Sequence, residues 1–382
     1  MDLIITDTSF NTIAVIDEYE SLLWTDRYNK AGDFELYLSA HSPYMAFLQK
    51  DNYCFIEDSE YVMIIEGIEI RTDSEAGDRA VITGRSLESI LDRRIVWSQT
   101  TFTNKSLRHI VNKLITKNVI NTGSNDRNIP NFRLGSSFTT KDNPIIDDST
   151  NEDISDIDVQ YTGDNVYSVI TEICDAFNVG FKITLEDVEN EGVILKNQFV
   201  FELYTGADRT YDQSDNPYVM FSHRFDNIIN SDYLESNKTL KNVTLILGEG
   251  EGKNRKKQTY PASNAPSGLT RREFFTDARD ISSEYTDEEG VEHTLTTNQY
   301  NKALRQRGKE KLTENRMTKA FDGEVESTVL FKYGRDFFMG DIIQIENDFG
   351  IAGKARITEY IRSQDKNGIS LYPTFTAINE EQ

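Results

Sequence analysis

Cysteine is nearly missing from this 382-residue chain: there are two, Cys54 and Cys174. They stand far apart in apolar surroundings, which speaks against a disulfide framework and marks both as buried free thiols. Proline (7) and tryptophan (2) are scarce as well. Histidine occurs only at His41, His109, His223 and His293, with no HExxH and no Cys/His ligand spacing. The expectation is therefore no zinc site and no other cofactor. No apolar run reaches the roughly 20 residues that cross a bilayer as a helix. The opening MDLIITDTSF lacks the basic start and long apolar stretch of a signal peptide. The chain is expected to be made without a secretion signal or a membrane anchor. Positive charge is in deficit too, with 41 Lys+Arg against 64 Asp+Glu and a net charge of −23. Such a surface repels nucleic acids and anionic membranes, which disfavours classical nucleic-acid binding. It reads either as a self-repelling, soluble surface or as a channel wall that must not grip a polyanion.

What is present is aromatic and strand-forming. There are 18 Tyr and 21 Phe, and 37% of residues are hydrophobic, enough for true cores. The length suggests roughly two to four domains. Phe34, Leu36 and Leu38 alternate with Glu35 and Tyr37, the period-two pattern of a half-buried strand. Short apolar runs at Leu3–Ile5, Ile13–Ile16, Tyr53–Ile56, Val62–Ile65, Ile68–Ile70 and Ala80–Thr83 surround it. A turn is expected at Ser74–Asp78, and Ser86 is placed to cap a short helix.

Leu107, Ile110, Val111, Leu114 and Ile115 form one helical face, with Asn104 as the expected cap. A second helix is expected from Asn165 to Asn178, capped by Asp164 and stopped by Gly180. The polar, acidic stretch Asn121–Tyr161 reads as a long loop, and Phe181–Leu185 with Gln198–Tyr204 as a hairpin. Strands at Tyr218–Ser222 and Asn242–Leu247 precede a loop from Gly248, and residues 296–316 form a charged helix. Strands close the chain at Gly323–Thr328, Asp341–Glu346, Ala355–Ile361 and Ile369–Ala377.

The two ends resemble each other. AGDFELYLSAHSPYMAFLQKDNYCFIED runs from Ala31 to Asp58, and AFDGEVESTVLFKYGRDFFMGDIIQIEN from Ala320 to Asn347. Each has an Asp near a strand start, then a tyrosine (Tyr44, Tyr333) and an apolar pair (Phe47-Leu48, Phe337-Phe338). A polar pair (Asp51-Asn52, Gly340-Asp341) then opens a strand that closes on Ile-Glu (Ile56-Glu57, Ile345-Glu346). Further strands continue to Ala80–Thr83 and Ile369–Thr374. Two similar β-units per chain let three chains present six, and a trimer of this kind can sit flush on a six-fold ring.

At this point the residues carry a resemblance. Ser21–Ala40, with Trp24, Arg27-Tyr28 and Gly32-Asp33-Phe34-Glu35, resembles the opening of siphophage tail-hub proteins, the tail-associated (Tal) N-terminal module. Tyr204–Leu247, with Gly206, Asp208 and Asn227, and Met339–Ile361, with Gly340-Asp341, are similar to the same proteins. The resemblance covers both ends and the middle of the chain. It implies a mainly β, α+β fold like the baseplate hub of contractile-tailed phages: two tail-tube-like antiparallel β-barrel or sandwich domains with smaller α/β domains between them.

The expected division is 1–100 for the first β-domain and 101–200 for an α/β domain with an acidic insertion near 121–161. Residues 201–250 and 318–382 form the second β-domain, and 251–317 an inserted loop and helix. Carried over, Trp24, Arg27, Gly32, Asp33, Phe34, Gly206, Asp208, Asn227, Gly340 and Asp341 are structural motif residues. The family implies a homotrimer at the virion tail tip, made in the host cytoplasm. It joins a hexameric distal tail protein, contacts the tape-measure protein, and closes or gates the tube through which phage DNA passes without specific binding. A receptor-binding protein or tail fibre is a further partner. The peptidase or fibre extension of many family members is expected to be lacking past Gln382.

The remaining motifs weigh towards structure. Cys174 beside Ile173 and Phe177, and His109 beside a helix's apolar face, read as packing. Gly248–Lys253, GEGEGK, lacks the spacing and the Ser/Thr of a phosphate loop and reads as a hairpin tip. Lys253, Arg255, Lys256 and Lys257 are the one basic cluster, a candidate contact to an acidic subunit. The acidic runs Asp147-Asp148 and Glu152–Asp158 lack a calcium-loop pattern, and Ca²⁺ binding there stays open. Trp24 reads as a core anchor, Trp97 as core or interface. No catalytic residue is expected, so the chain is expected not to be an enzyme. A tail-associated cell-wall hydrolase and a carbohydrate-binding host adhesin stand as the alternatives.

Overall fold

In the computed structural model, which describes residues 1–72, 77–138, 146–147, 152–190, 192–287, 290–325, 330–346 and 352–378, the alternating segment becomes a strand with one buried face. Phe34, Leu36 and Leu38 point into a core around Trp24, Leu22, Ile5 and Ile82, while the residues between them stay partly exposed. The first β-unit comprises β1 (Leu3–Thr6), β2 (Thr12–Ile16), β3 (Ser21–Arg27), β4 (Asp33–Ser39), β5 (Tyr53–Phe55), β6 (Met63–Arg71) and β7 (Arg79–Ser86). Its spatial order is β3-β4-β7-β6-β5-β1-β2, all antiparallel.

The middle of the chain is an α/β unit. It contains β8 (Thr100–Lys105), α1 (Leu107–Ile115), β9 (Phe132–Leu134), a small hairpin of β10 (Ile146–Asp147) and β11 (Glu152–Asp153), β12 (Ile157–Tyr161), α2 (Val166–Ala176), β13 (Gly180–Asn190) and β14 (Val193–Tyr204). The apolar faces of α1 and α2 meet here, and β13 and β14 form the long hairpin read from the sequence.

Several local expectations are corrected. Ser106, not Asn104, caps α1, its hydroxyl accepting from the His109 N–H. Asn104 instead has a left-handed backbone, φ 49°. Asn165, not Asp164, caps α2, and the helix ends at Phe177 and the left-handed Asn178, ahead of Gly180, which starts β13. Ile157–Tyr161 is no loop: all five residues are buried, and β12 pairs with β8. The turn expected at Ser74–Asp78 and the insertion from 139 to 151 lie largely outside the described residues.

The second half repeats the first. Its strands are β15 (Met220–Ser222), β16 (Ile228–Ser236) and, after an insert, β22 (Thr318–Val325), β23 (Ile342–Glu346), β24 (Ala352–Asp365) and β25 (Gly368–Ala377). Their order is β16-β22-β25-β24-β23-β15, which matches β3-β4-β7-β6-β5-β1 strand for strand. One ladder differs: β15 runs parallel to β23, whereas β1 runs antiparallel to β5.

The insert sits within the β16–β22 hairpin. It holds a three-stranded sheet of β17 (Val243–Leu247), β18 (Lys257–Tyr260) and β19 (Glu273–Asp277), a small hairpin of β20 (Glu284–Thr286) and β21 (Glu292–Thr294), and α3 (Thr297–Thr313). A capping box between Thr296 and Gln299 starts α3. The expected division placed 243–250 in the second β-unit. β17 pairs instead with β18 and β19, and Ile246 packs under α3. Likewise Leu87, Ile90, Leu91 and Val96, expected in the first β-unit, belong to the core of the α/β unit.

Candidate functional site

The two β-units are joined through backbone. β24 pairs antiparallel with β3, from Glu359 opposite Arg27 to Gln364 opposite Leu22, so one 13-stranded sheet runs through both. The motif residues gather along this seam and just beside it. Asp26 and Arg362 face each other across the ladder at 2.6 Å, both almost wholly buried. Trp24 Nε1–H and the Ser59 hydroxyl also donate to Asp26, at 3.1 and 3.0 Å. Arg362 donates to the Asp58 carbonyl at 2.6 Å, and its guanidinium lies over the Tyr360 ring at 4.7 Å. Burial pushes the Asp26 carboxyl above its usual range, and Arg362, Ser59 and Trp24 oppose that shift. Every polar atom of such a buried pair needs a partner, because isolated charge in this environment is strongly penalised.

At the rim, Arg27 bridges Asp33 and Glu359, each at 2.7 Å. Burial opposes its charge, yet the bonds to the two carboxylates hold its pKa above the ordinary value. Gly32 lies where a Cβ would sit 2.2 Å from the Thr25 carbonyl oxygen. Its N–H donates to the Ser86 hydroxyl at 2.7 Å. Phe34 stacks obliquely on Trp24, with ring centroids 5.9 Å apart.

The later motif residues build the second β-unit's side. Asp341 accepts from the Ala207 N–H at 2.7 Å and the Phe338 N–H at 2.9 Å, and pairs with Arg209. Gly206 is pressed onto Gly340: a Cβ there would fall 1.9 Å from the Gly340 carbonyl oxygen. Asp208 accepts from the Thr210 N–H at 2.8 Å. Buried Asn227 accepts from the Ser222 N–H and donates to the Met220 carbonyl, pinning the turn after β15.

Tyr28, noted in the sequence only as the neighbour of Arg27, proves central. Its N–H donates to Thr358 at 3.0 Å and its hydroxyl to the Asn178 carbonyl at 2.9 Å, while its carbonyl accepts from the Phe181 N–H. Its ring packs on two glycines: a Cβ at Gly180 or at Gly340 would lie 2.3 Å from Tyr28 Cε2. Arg356 donates to the Gly340 carbonyl at 2.8 Å, with its guanidinium over the same ring. One tyrosine thus ties both β-units to the α/β unit. A missed signal was available: glycines at 180 and 340, at or just before the start of an apolar strand, mark places where a large ring comes close to backbone.

A second seam joins the insert to the α/β unit. Here α3 meets β12 and α2 through side chains. Arg307 donates to the Gln160 carbonyl at 2.9 Å and pairs with Asp280 at 3.0 Å. The Tyr161 hydroxyl donates to Glu310 at 3.1 Å, Lys311 pairs with Glu172, and Lys302 reaches Asp156 at 2.8 Å. Burial pushes the Glu310 carboxyl up to about 7, against the pull of Arg307 and Gln306. Burial does the same to Glu88, also to about 7. Glu88 accepts from the Ile183 N–H at 2.7 Å and so ties β13 to the end of β7.

The basic cluster divides. Arg255 turns inward, paired with Asp277 at 2.6 Å and donating to the Gly248 carbonyl, so it holds its own hairpin together. Lys253, Lys256 and Lys257 are exposed at the hairpin tip, where Gly250 and Gly252 take left-handed backbone. Trp97 is exposed, with Arg127 over its ring at 4.4 Å. Cys54 and Cys174 are buried, and burial pushes both thiols up. Among the described residues no cluster of His, Cys, Asp and Glu could hold a metal ion, and no helix is long and apolar enough to cross a membrane.

This architecture is that of phage tail proteins. The tail protein from Neisseria meningitidis MC58 superposes with a TM-score of 0.53 and 12% identity, over 98% of this chain and 96% of that one. Two others are the prophage MuSo2 43 kDa tail protein from Shewanella oneidensis (TM-score 0.49, 11% identity, 98% of each chain) and prophage tail protein gp18 from Listeria monocytogenes EGD-e (0.48, 14%, 100% of this chain and 96% of that one). The family model of the siphovirus ReqiPepy6 Gp37-like protein matches residues 2–375, and the chain belongs to that family. By family and fold it is a structural protein of the bacteriophage tail, located in the virion. No curated protein matches the sequence.

Proposed function

We propose that this chain is the tail-tip hub: a homotrimer that adapts to a hexameric distal tail ring and closes or gates the DNA conduit. The carrying observation is the shared strand order of the two β-units, β3-β4-β7-β6-β5-β1 and β16-β22-β25-β24-β23-β15. Three chains then offer six comparable units around one axis, and a ring of such units can mate with a sixfold partner. The continuous β3–β24 ladder fixes the angle between the two units of each chain, as a symmetry adaptor requires. In this reading the work is mechanical, with no catalysis. The tape-measure protein and a receptor-binding protein or fibre are the other tail contacts. The net charge of −23 lets DNA pass without sticking.

The working division places the first β-unit at 1–86, the α/β unit at 87–204, the second β-unit at 205–236 and 318–378, and the insert at 237–317. The test is light scattering and electron microscopy of the purified chain with and without the distal tail protein. A threefold ring is expected. A strict monomer at high concentration that stays monomeric with the ring protein overturns the proposal.

A further inference from the structure

Three arginines crowd one place in this acidic chain. Arg93, Arg94 and Arg127 lie together where the first β-unit meets the α/β unit, beside a cleft of about 440 Å³. The cleft is lined by Phe10, Tyr53, Phe199, Arg93, Arg94 and Asp51, among others. Of the three cations only Arg93 has a carboxylate partner, Asp51 at 3.0 Å, and that pair is exposed. Arg94 spends its bonds on the backbone, donating to the Arg127 carbonyl at 2.7 Å and the Arg93 carbonyl at 2.9 Å. Among the described residues no carboxylate lies within ion-pair distance of Arg94 or Arg127. Asp126, next in sequence to Arg127, is exposed, accepts from Ser124 and also feels the Arg127 charge, so Arg127 is partly offset. Arg127 Nη2 is buried without a hydrogen-bond partner. Burial and the two like charges lower the Arg94 pKa. The cleft rim thus carries two guanidinium groups, Arg93 and Arg94, against one carboxylate, Asp51, a net positive charge that suits an anion.

The other wall is aromatic and held in shape. Phe10 stacks on Tyr53, with centroids 4.6 Å apart, and meets Phe199 edge-on at 5.8 Å. Phe10 takes a left-handed backbone, φ 64°, which a bulky residue seldom adopts. Asp7 clamps the turn around it by accepting from the Ser9 and Asn11 N–H groups. Backbone outliers of this kind collect at binding sites, where they hold a side chain ready.

We propose that this cleft binds an acidic, aromatic-bearing peptide segment of a partner protein. The partner's ring lies on Phe10, Tyr53 and Phe199, and a neighbouring carboxylate lies on Arg93 and Arg94. Charge complementarity selects this occupant, since the wall is apolar and the rim holds two guanidinium groups against one carboxylate.

The test is titration of the full chain with the acetylated dipeptide amide Phe-Asp, its isostere Phe-Asn, and inorganic phosphate. Calorimetry and the fluorescence of exposed Trp97 serve as readouts. Phe-Asp is expected to bind at least tenfold tighter than Phe-Asn and to weaken with salt. Arg94→Gln should bring Phe-Asp down to the level of Phe-Asn. Asp51→Asn, which frees Arg93, should tighten Phe-Asp several-fold, a change that misfolding does not produce. Equal affinity for the two peptides, indifference to Arg94→Gln, or no binding at millimolar concentration overturns the proposal. So does phosphate binding as tightly as Phe-Asp, or Phe10→Gly leaving the affinity unchanged, since either removes the aromatic wall from recognition.

Discussion

The two seams of this molecule are built on different physics. Between the β-units the chain uses backbone: β3 and β24 share a ladder, and a buried ion pair, Asp26–Arg362, is ringed by donors and aromatic faces. Between the insert and the α/β unit no strand ladder forms among the described residues; side chains carry the joint, bonding to one another and to single backbone groups such as the Gln160 carbonyl, with Glu310 left buried and one of its oxygens without a hydrogen bond. A ladder fixes register and angle together and responds little to solution conditions. A side-chain seam is strong only while its ionisation states suit it. The first joint is held by backbone geometry, the second by the ionisation states of its side chains.

The largest expected effect tests the first seam. Arg362→Met leaves Asp26 buried without its partner and should destabilise the fold by about 3–5 kcal/mol, read as a shifted urea midpoint at unchanged m-value. The double change with Asp26→Leu should recover much of that loss; if the single change costs under about 1 kcal/mol, the pair does not hold the seam. The glycine contact comes next. Gly340→Ala meets the Tyr28 ring and takes an unfavourable φ of 89°, so a loss of roughly 1–3 kcal/mol is expected, with Tyr28→Leu relieving part of it.

The second seam should respond to pH. Glu310 binds its proton more tightly in the folded chain, at about 7, than in the unfolded one, near 4.5, and Glu88, at the joint between the first β-unit and the α/β unit, does the same. Each contribution is therefore full below the unfolded value and is lost as pH rises through about 7, by roughly 3 kcal/mol per group. Unfolding followed from pH 5 to 8 should show this decline, and Glu310→Gln should remove its share of it, leaving the part due to Glu88. An unchanged slope in that variant would remove Glu310 from the account. Smallest is the hairpin tip: Lys253, Lys256 and Lys257 changed to serine should alter stability by less than about 0.5 kcal/mol. If the tip contacts another subunit, the same change weakens assembly measured by sedimentation.

Much of the fold was legible because apolar period carries over directly into buried faces. Phe34-Leu36-Leu38, the α1 and α2 stripes, and the β13–β14 hairpin all follow from it. Errors fell where neighbouring polar residues compete for one local job. Asn104 against Ser106, and Asp164 against Asn165, differ by a turn geometry that composition does not reveal. β12 was hidden because its acidic context mimics a loop, although its five residues are buried. At the site, glycines and acids of the motif were visible, but Tyr28 was not, since its role depends on Gly180 and Gly340 arriving from either side.

By itself the sequence determined the strand-rich composition, the repeated order of elements at the two ends, the acidic charge, and the residues that close tight turns. These are local or compositional, so neighbouring residues suffice to express them. Only the tertiary structure decided that the repeats fuse through β3 and β24, that Asp26 meets Arg362 across 336 positions, and that β17 belongs to the insert. Pairings of that span depend on which strand edge is left open once every other hydrogen bond has been made, and no local pattern encodes that remainder.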